Sequence, residues 1–316
     1  MNAQKTRGLP RQERRTVDGL LLLDKPVGLT SNTALQQVKR LFRAKKAGHT
    51  GSLDPLASGM LPICFGQATK VSAYLLEADK IYRVKASFGL QTDTADADGT
   101  VIAESEIRTV EREALEQAMD RMTGEILQVP PMYSALRQDG TRLYELARQG
   151  ITIDRPARAI TIRSLEIEAF DPAAPVLRVA CSKGTYIRTL VEDLAGMLGT
   201  VGHVAALRRL AVEPFTRSRL VTMEQVEEAA RAGDGALDAL LIPVDAALVA
   251  LPAINLNQEQ SWSLRHGNPV RVGQSPGAGY CRIYDEQARF VGVGEALRDG
   301  RIAPKRLFVA PESMAG

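Results

Sequence analysis

Cysteine and histidine are scarce in this chain of 316 residues, three of each. Cys64, Cys181 and Cys281 lie far apart in apolar or strand-like contexts, with no CxxC pair among them. That argues against a disulfide scaffold and against a zinc site, and the expectation is buried thiols in a reducing cytoplasm with no metal. Long hydrophobic runs are absent, none approaching the roughly 18 residues of a membrane span. The N-terminal MNAQKTRGLPRQERR is basic but has no apolar segment behind it, which excludes a secretory signal. Repeats and low-complexity tracts are missing as well. What remains is an ordinary globular composition, 45% hydrophobic and 24% charged, at a length that implies one large domain and one small.

The most informative segment is Ala47–Met60, AGHTGSLDPLASGM. It sets one carboxylate, Asp54, among glycines, small residues and apolar residues, with no second acid nearby. Gly48, Gly51 and Gly59 allow backbone angles and close approaches that a side chain would block. Pro55 fixes its own φ and biases Asp54 away from helix. The pattern describes a rigid loop presenting a single acid to a ligand.

Charge is unevenly distributed around a net +3. Lys39, Arg40, Arg43, Lys45 and Lys46 succeed one another without an acid, just before the Asp54 loop. Residues 1–17 hold five basic residues against one acid, and Arg265–Arg306 eight against four. Clusters of this kind usually form a solvated face. One of them abutting the acidic loop favours a polyanionic partner such as RNA.

Periodicity gives the frame. Residues 1–17 read as a disordered basic tail. Gly19–Leu23 reads as a buried strand, followed by a helix from an N-cap at Ser31 with Ala34, Leu35, Val38, Leu41 and Phe42 at helical spacing. A helix is expected near 68–78, and strict alternation over 81–88 predicts a half-buried strand. DTADADG, residues 93–99, lacks the terminal glutamate of a calcium loop, because position 105 is Ser. It reads as a solvated hairpin turn. A helix near 111–122 follows, then Pro130–Gly150 as a loop running into an amphipathic helix. Strands are predicted near 158–170, 176–182 and 204–212. Between them a helix over 186–198 is capped by Thr185 and stopped by Gly199. An acid-rich helical stretch over 222–245 gives way near Pro252 to short strands punctuated by Gly and Pro. The mixture has no strict βαβ cadence, so the fold class is α+β.

The motifs in this order resemble the TruB family of tRNA pseudouridine-55 synthases. Gly48, His49, Gly51, Leu53, Asp54, Pro55, Ala57, Gly59, Leu61 and Pro62 match its GHxGxLDPxAxGxLP loop, with Met60 the one soft substitution. Lys25, Pro26, Gly28, Thr30 and Ser31 match KPxGxTS. Gly184, Thr185, Tyr186, Ile187, Arg188, Leu190, Asp193 and Leu194 match GTYIRxLxxDLG, with Ala195 before the glycine as a departure. The resemblance is close over residues 18 to about 220. It implies a mixed or antiparallel central sheet flanked by helices over 18–250, with an RNA-gripping insertion at about 129–157. Over 251–316 it implies a small PUA-like β-rich module, the match there resting on YCRIYD and FVGVGE.

The same resemblance assigns candidate roles. Asp54 is the catalytic carboxylate and Arg188 its ion partner. Tyr82 lies against the target base, Leu207 is an apolar wall of the pocket, and Tyr186 supports the site. His49 occupies the place left by the extruded base. Lys25 braces the loop and is a candidate RNA contact, as are Lys45, Lys46, Arg137, Arg142 and Arg148, Arg137 standing where Lys is usual. The implied partner is the T arm of tRNA, bound by a monomer without cofactor. Each residue also has a plainer reading, Tyr82 and Leu207 as core and the basic residues as solvated surface. Two other functions compete: a tRNA-folding protein without turnover, and a synthase acting on another RNA. A hydrolase with paired carboxylates fails, because no second acid shares the Gly/Pro setting of Asp54.

Overall fold

The computed structural model describes residues 13–138, 140–273 and 277–308. A mixed nine-stranded sheet dominates. Its strands are β1 (Gly19–Lys25), β2 (Ala47–His49), β3 (Ser58–Phe65), β4 (Lys80–Phe88), β5 (Gly124–Gln128), β6 (Arg158–Ala169), β7 (Val176–Cys181), β8 (Gly202–Val212) and β9 (Val221–Thr222). The order is β9-β1-β3-β8-β4-β7-β6-β5, with β2 added against β3. Most neighbours are antiparallel, but β3–β8 and β1–β9 run parallel.

β1 is apolar at every position from Leu20 to Leu23 because both of its faces are covered. Leu21 and Leu23 enter the main core, while Leu20 and Leu22 enter a second core on the opposite face. Helices α1 (Ser31–Leu41), α2 (Arg112–Met122), α3 (Ile187–Met197) and α4 (Met223–Ala232) turn their apolar stripes into the main core. Burying such stripes contributes about 25 cal/mol per Å² of apolar surface. The second core also takes Val293 and Phe308, so the C-terminal module is packed on the sheet. That module is a five-stranded sheet, β10 (Ala253–Asn255), β11 (Val270–Arg271), β12 (Gly279–Tyr284), β13 (Phe290–Ala296) and β14 (Arg301–Leu307), with its own small core.

Several local expectations are corrected. Thr30 rather than Ser31 caps α1, accepting from Thr33 N at 3.0 Å. The Ser31 hydroxyl is committed elsewhere, to the Asp54 loop. Thr185 donates to Ser182 O, so it does not cap α3, whose N-cap residue is Tyr186. The helix expected near 68–78 is a 3-10 turn followed by Ser72–Glu77, and that in 130–150 shortens to Leu143–Ala147 after a small hairpin. The β-rich module contains a helix, α5 (Gln258–Arg265), started by a reciprocal Asn257–Gln260 cap that the sequence carried plainly. Of the expected tail, residues 1–12 lie outside the described residues. Residues 13–17 are not loose: Arg15 forms a bidentate pair with Asp238 at 2.8 Å and Val17 is buried.

The parallel approach of β8 to β3 fixes one glycine. Gly59 sits at φ +100°, and a Cβ there would lie 2.2 Å from the Arg209 carbonyl oxygen. Backbone faces backbone, so neither side has room to yield. Gly59→Ala is expected to cost about 3 kcal/mol, the upper end for overpacking, with left-handed strain added. Thermal or urea unfolding beside wild type checks this, and an unchanged midpoint would refute it.

Candidate active site

The Asp54 loop hangs between β2 and β3 and is tied at several points. Ser31 Oγ accepts from Leu53 N at 2.7 Å and lies 3.0 Å from Leu53 O. Gly28 N donates to Pro55 O at 2.8 Å. The KPVGLTS segment therefore clasps the loop on both sides of Asp54. From the other direction Arg209, 1% exposed, donates Nε to Met60 O at 2.7 Å and its terminal nitrogens to Gly51 O and Ser52 O. Asp54 is thus presented by a backbone whose carbonyls are held by a buried cation.

Asp54, Tyr82, Tyr186, Arg188 and Leu207 line a single cavity of about 340 Å³, together with Lys80, Tyr133, Ser134 and Arg209. Arg188 Nε lies 3.1 Å from Asp54 Oδ2. Arg188 is 6% exposed and each of its guanidinium nitrogens is engaged: Nη1 donates to Thr94 O and Nη2 to Tyr133 O, both at 2.7 Å. Asp96 Oδ2 stands 3.6 Å from the same Nε. The Asp54 side chain is 43% exposed to the cavity. Burial pushes its carboxyl above the ordinary aspartate value; Arg188 opposes that shift and Asp96 reinforces it. Lys80 is 7% exposed and donates to Leu76 O at 2.7 Å, and burial lowers its pKa to about 8. Tyr82 is half-buried on β4, directly across from Arg209 on β8. A ring that lines the cavity beside the Asp54 loop suits stacking against a flat base.

Lys25 is a correction. It is fully buried, and its ammonium donates to Pro26 O and Leu29 O at 2.9 and 2.7 Å, so it does not reach an RNA. Burial lowers its pKa to about 8, with Asp54 the largest opposing influence. It braces the loop clasp. His49 lies in β2, half-buried and outside the cavity lining, with burial lowering its pKa. Lys45, Lys46, Arg137, Arg142 and Arg148 are exposed, and among the described residues none forms an ion pair with an acid. Arg142 and Arg148 flank the Tyr144 ring at 5.8 and 5.4 Å.

Three site residues escaped the sequence analysis, Asp96, Arg209 and Lys80. Asp96 was assigned to a solvated turn, yet it is 5% exposed because the turn docks on β8, Ala97 N donating to Val204 O. Nothing in DTADADG signals that docking. Arg209 did carry a signal: it is two residues past Leu207 on one strand, so both must share a face. No group of three or more metal-ligating side chains occurs among the described residues.

A mixed sheet presenting one loop aspartate, held by a buried arginine beside an aromatic-lined cavity, defines the pseudouridylate synthase class. The sequence comparisons are specific. Residues 39–187 match the profile of the TruB family pseudouridylate synthase N-terminal domain. Residues 188–249 match the tRNA pseudouridylate synthase B C-terminal domain, and 252–308 the C-terminal domain of pseudouridine synthase II TruB. The tRNA pseudouridine synthase B of Pseudomonas paraeruginosa is 52% identical, over 93% of this chain and 97% of its own. That of Yersinia enterocolitica is 49% identical, over 96% and 94%. In fold, a chain from a crystal structure of a Cbf5–Nop10–Gar1 complex superposes with a TM-score of 0.70 at 24% identity, covering 93% of this chain and 86% of its own. The chain belongs to the TruB family.

Proposed function

We propose that this protein isomerises uridine to pseudouridine at position 55 in the T arm of tRNA, with Asp54 as the catalytic carboxylate. The observation that carries the assignment is the Asp54–Arg188 pair at 3.1 Å inside a cavity walled by Tyr82 and Leu207. The reaction breaks the bond from uracil N1 to ribose C1′, turns the base and rejoins it through C5, whose proton is released. Atoms and electrons balance without an oxidant, a reductant or a transferred group. Asp54 engages the substrate covalently or assists elimination. Arg188 keeps the carboxylate available in a setting that otherwise favours its neutral form.

A base inside a folded loop cannot reach this cavity, so it must leave its stack, at a cost of a few kcal/mol. Phosphate contacts from Lys45, Lys46, Arg137, Arg142 and Arg148 offset that cost, and Tyr82 stacks on the extruded ring. His49 stands next to the loop, where the vacated position would lie. The protein acts in this reading as a cytoplasmic monomer. The test is tritium release from a T-arm stem–loop carrying 5-tritiated uridine. Release by wild type supports the assignment. Binding without release, from this RNA and from full-length tRNA, would leave a folding protein, and release only from ribosomal RNA fragments would change the substrate.

The phosphate contacts also predict salt dependence. Lys46→Ala combined with Arg142→Ala should reduce the slope of log affinity against log salt by about 1.4, the value for two single-strand phosphate contacts. Binding isotherms across a salt series check this, and an unchanged slope would exclude both residues.

A further inference from the structure

We infer that Gln128 is a positioning residue for the reaction, an amide clamp fixing the turn from which Tyr186 and Arg188 enter the cavity. The inference rests on the synthase reading above. Gln128 is the last residue of the edge strand β5 and is 2% exposed. Its side chain grips one residue 58 positions along the chain. Nε2 donates to Tyr186 O at 3.1 Å, and Oε1 accepts from Tyr186 N at 2.8 Å. A side-chain amide has one donor end and one acceptor end, so it reproduces the pairing of a neighbouring strand.

The position gripped matters. Tyr186 is the N-cap of α3, with extended backbone at φ −99° and ψ 108°, and no side chain caps the helix there. Its carbonyl already accepts the first helical bond, from Leu190 N. The clamp therefore holds the peptide from which the helix is launched, and Arg188 is the second residue of that helix. Asp54 belongs to a separate loop, so its 3.1 Å pairing with Arg188 depends on where α3 begins.

Gln128 also stands immediately before the 129–157 insertion, and Arg188 Nη2 holds Tyr133 O within that insertion. Gln128 and Arg188 thus tie the start of the RNA-gripping segment to the catalytic pair. Without the amide, the partly buried Tyr186 N–H loses its partner and the launch point of α3 is free to shift. Small misplacements of catalytic groups cost rate out of proportion to their size.

The experiment compares wild type with Gln128→Met and Gln128→Glu by tritium release under single turnover, with separate measurement of RNA affinity and of the pH profile. Gln128→Met should lower the rate at saturating RNA about tenfold or more, as expected for a displaced catalytic group. Its dissociation constant should stay within about twofold, the pattern of an interaction made for the chemical step. The acid limb of its pH–rate profile should move to higher pH, since a displaced Arg188 no longer opposes the upward shift of Asp54. Gln128→Glu keeps the acceptor and loses the donor, and should fall between. A Met variant as fast as wild type, a loss confined to affinity, or an acid limb that stays in place would overturn the proposal. Should the Met variant fail to fold, the Glu variant is judged by the same three measurements. Absence of turnover in wild type itself would instead sink the synthase reading.

Discussion

Asp54→Asn is expected to bind the T-arm stem–loop within about threefold of wild type and to release tritium on the order of 10³-fold more slowly, or not at all. The amide keeps the shape of the carboxylate and its place in the clasped loop, and removes only the charge and the nucleophilic oxygen. Stability should not suffer. Burial holds the wild-type carboxyl above its ordinary value of 3.8. The folded state therefore binds more protons than the unfolded chain between that value and the raised one. Wild-type stability gains as pH falls through this window and loses as pH rises through it. Asp54→Asn removes that dependence and should melt no lower than wild type at neutral pH. Activity has the opposite sign: it needs the ionised form, so the acid limb of the wild-type profile lies above 3.8. A fully active Asn variant, or an acid limb at or below the ordinary aspartate value, would contradict the assignment.

How far the sequence reached depended on whether a feature was local. The Asp54 loop, the alternation that places Tyr82, and the stripe Ile187–Leu190–Val191–Leu194 are all set within a few residues, and all appear where their patterns put them. The cap of α1 was misassigned because the Ser31 hydroxyl is drawn to Leu53, 22 residues further on, and that of α3 because the Thr185 hydroxyl turns back to Ser182 O within its own turn. Asp96 was out of reach for a stronger form of the same reason. Its burial comes from the docking of a whole turn on β8, more than a hundred residues further on, so its own neighbourhood reads as solvated acid. Lys25 was placed in its motif, but its buried position follows from the loop that folds over it. Arg209 and Lys80 were available from period-two geometry, as partners in face of Leu207 and Tyr82.

Arg188 is where local and distant contributions meet, and its removal should have the widest effect on both activity and stability. Its guanidinium serves Asp54, Asp96, Thr94 O and Tyr133 O. A planar fork with five donors can satisfy four partners at once; a lysine ammonium has three donors and no such geometry. Arg188→Met should therefore destabilise the fold by about 3–5 kcal/mol, the usual result of leaving one half of a buried ion pair behind. The orphan is Asp96, whose side chain is 7% exposed and, among the described residues, keeps Thr94 Oγ1 and Asp98 N as the partners of its side chain. Adding Asp96→Asn to Arg188→Met should recover most of the lost stability, because the uncompensated charge is gone. It should recover none of the activity, which the single variant loses by at least about a hundredfold, as when a preorganised charge partner is removed. Arg188→Lys should retain part of the stability and little of the rate. Urea unfolding of the four proteins beside single-turnover tritium release separates the two effects. Equal destabilisation in the single and double variants would mean that Arg188 stabilises by packing rather than by charge. Recovered turnover in the double variant would remove Arg188 from the catalytic pair.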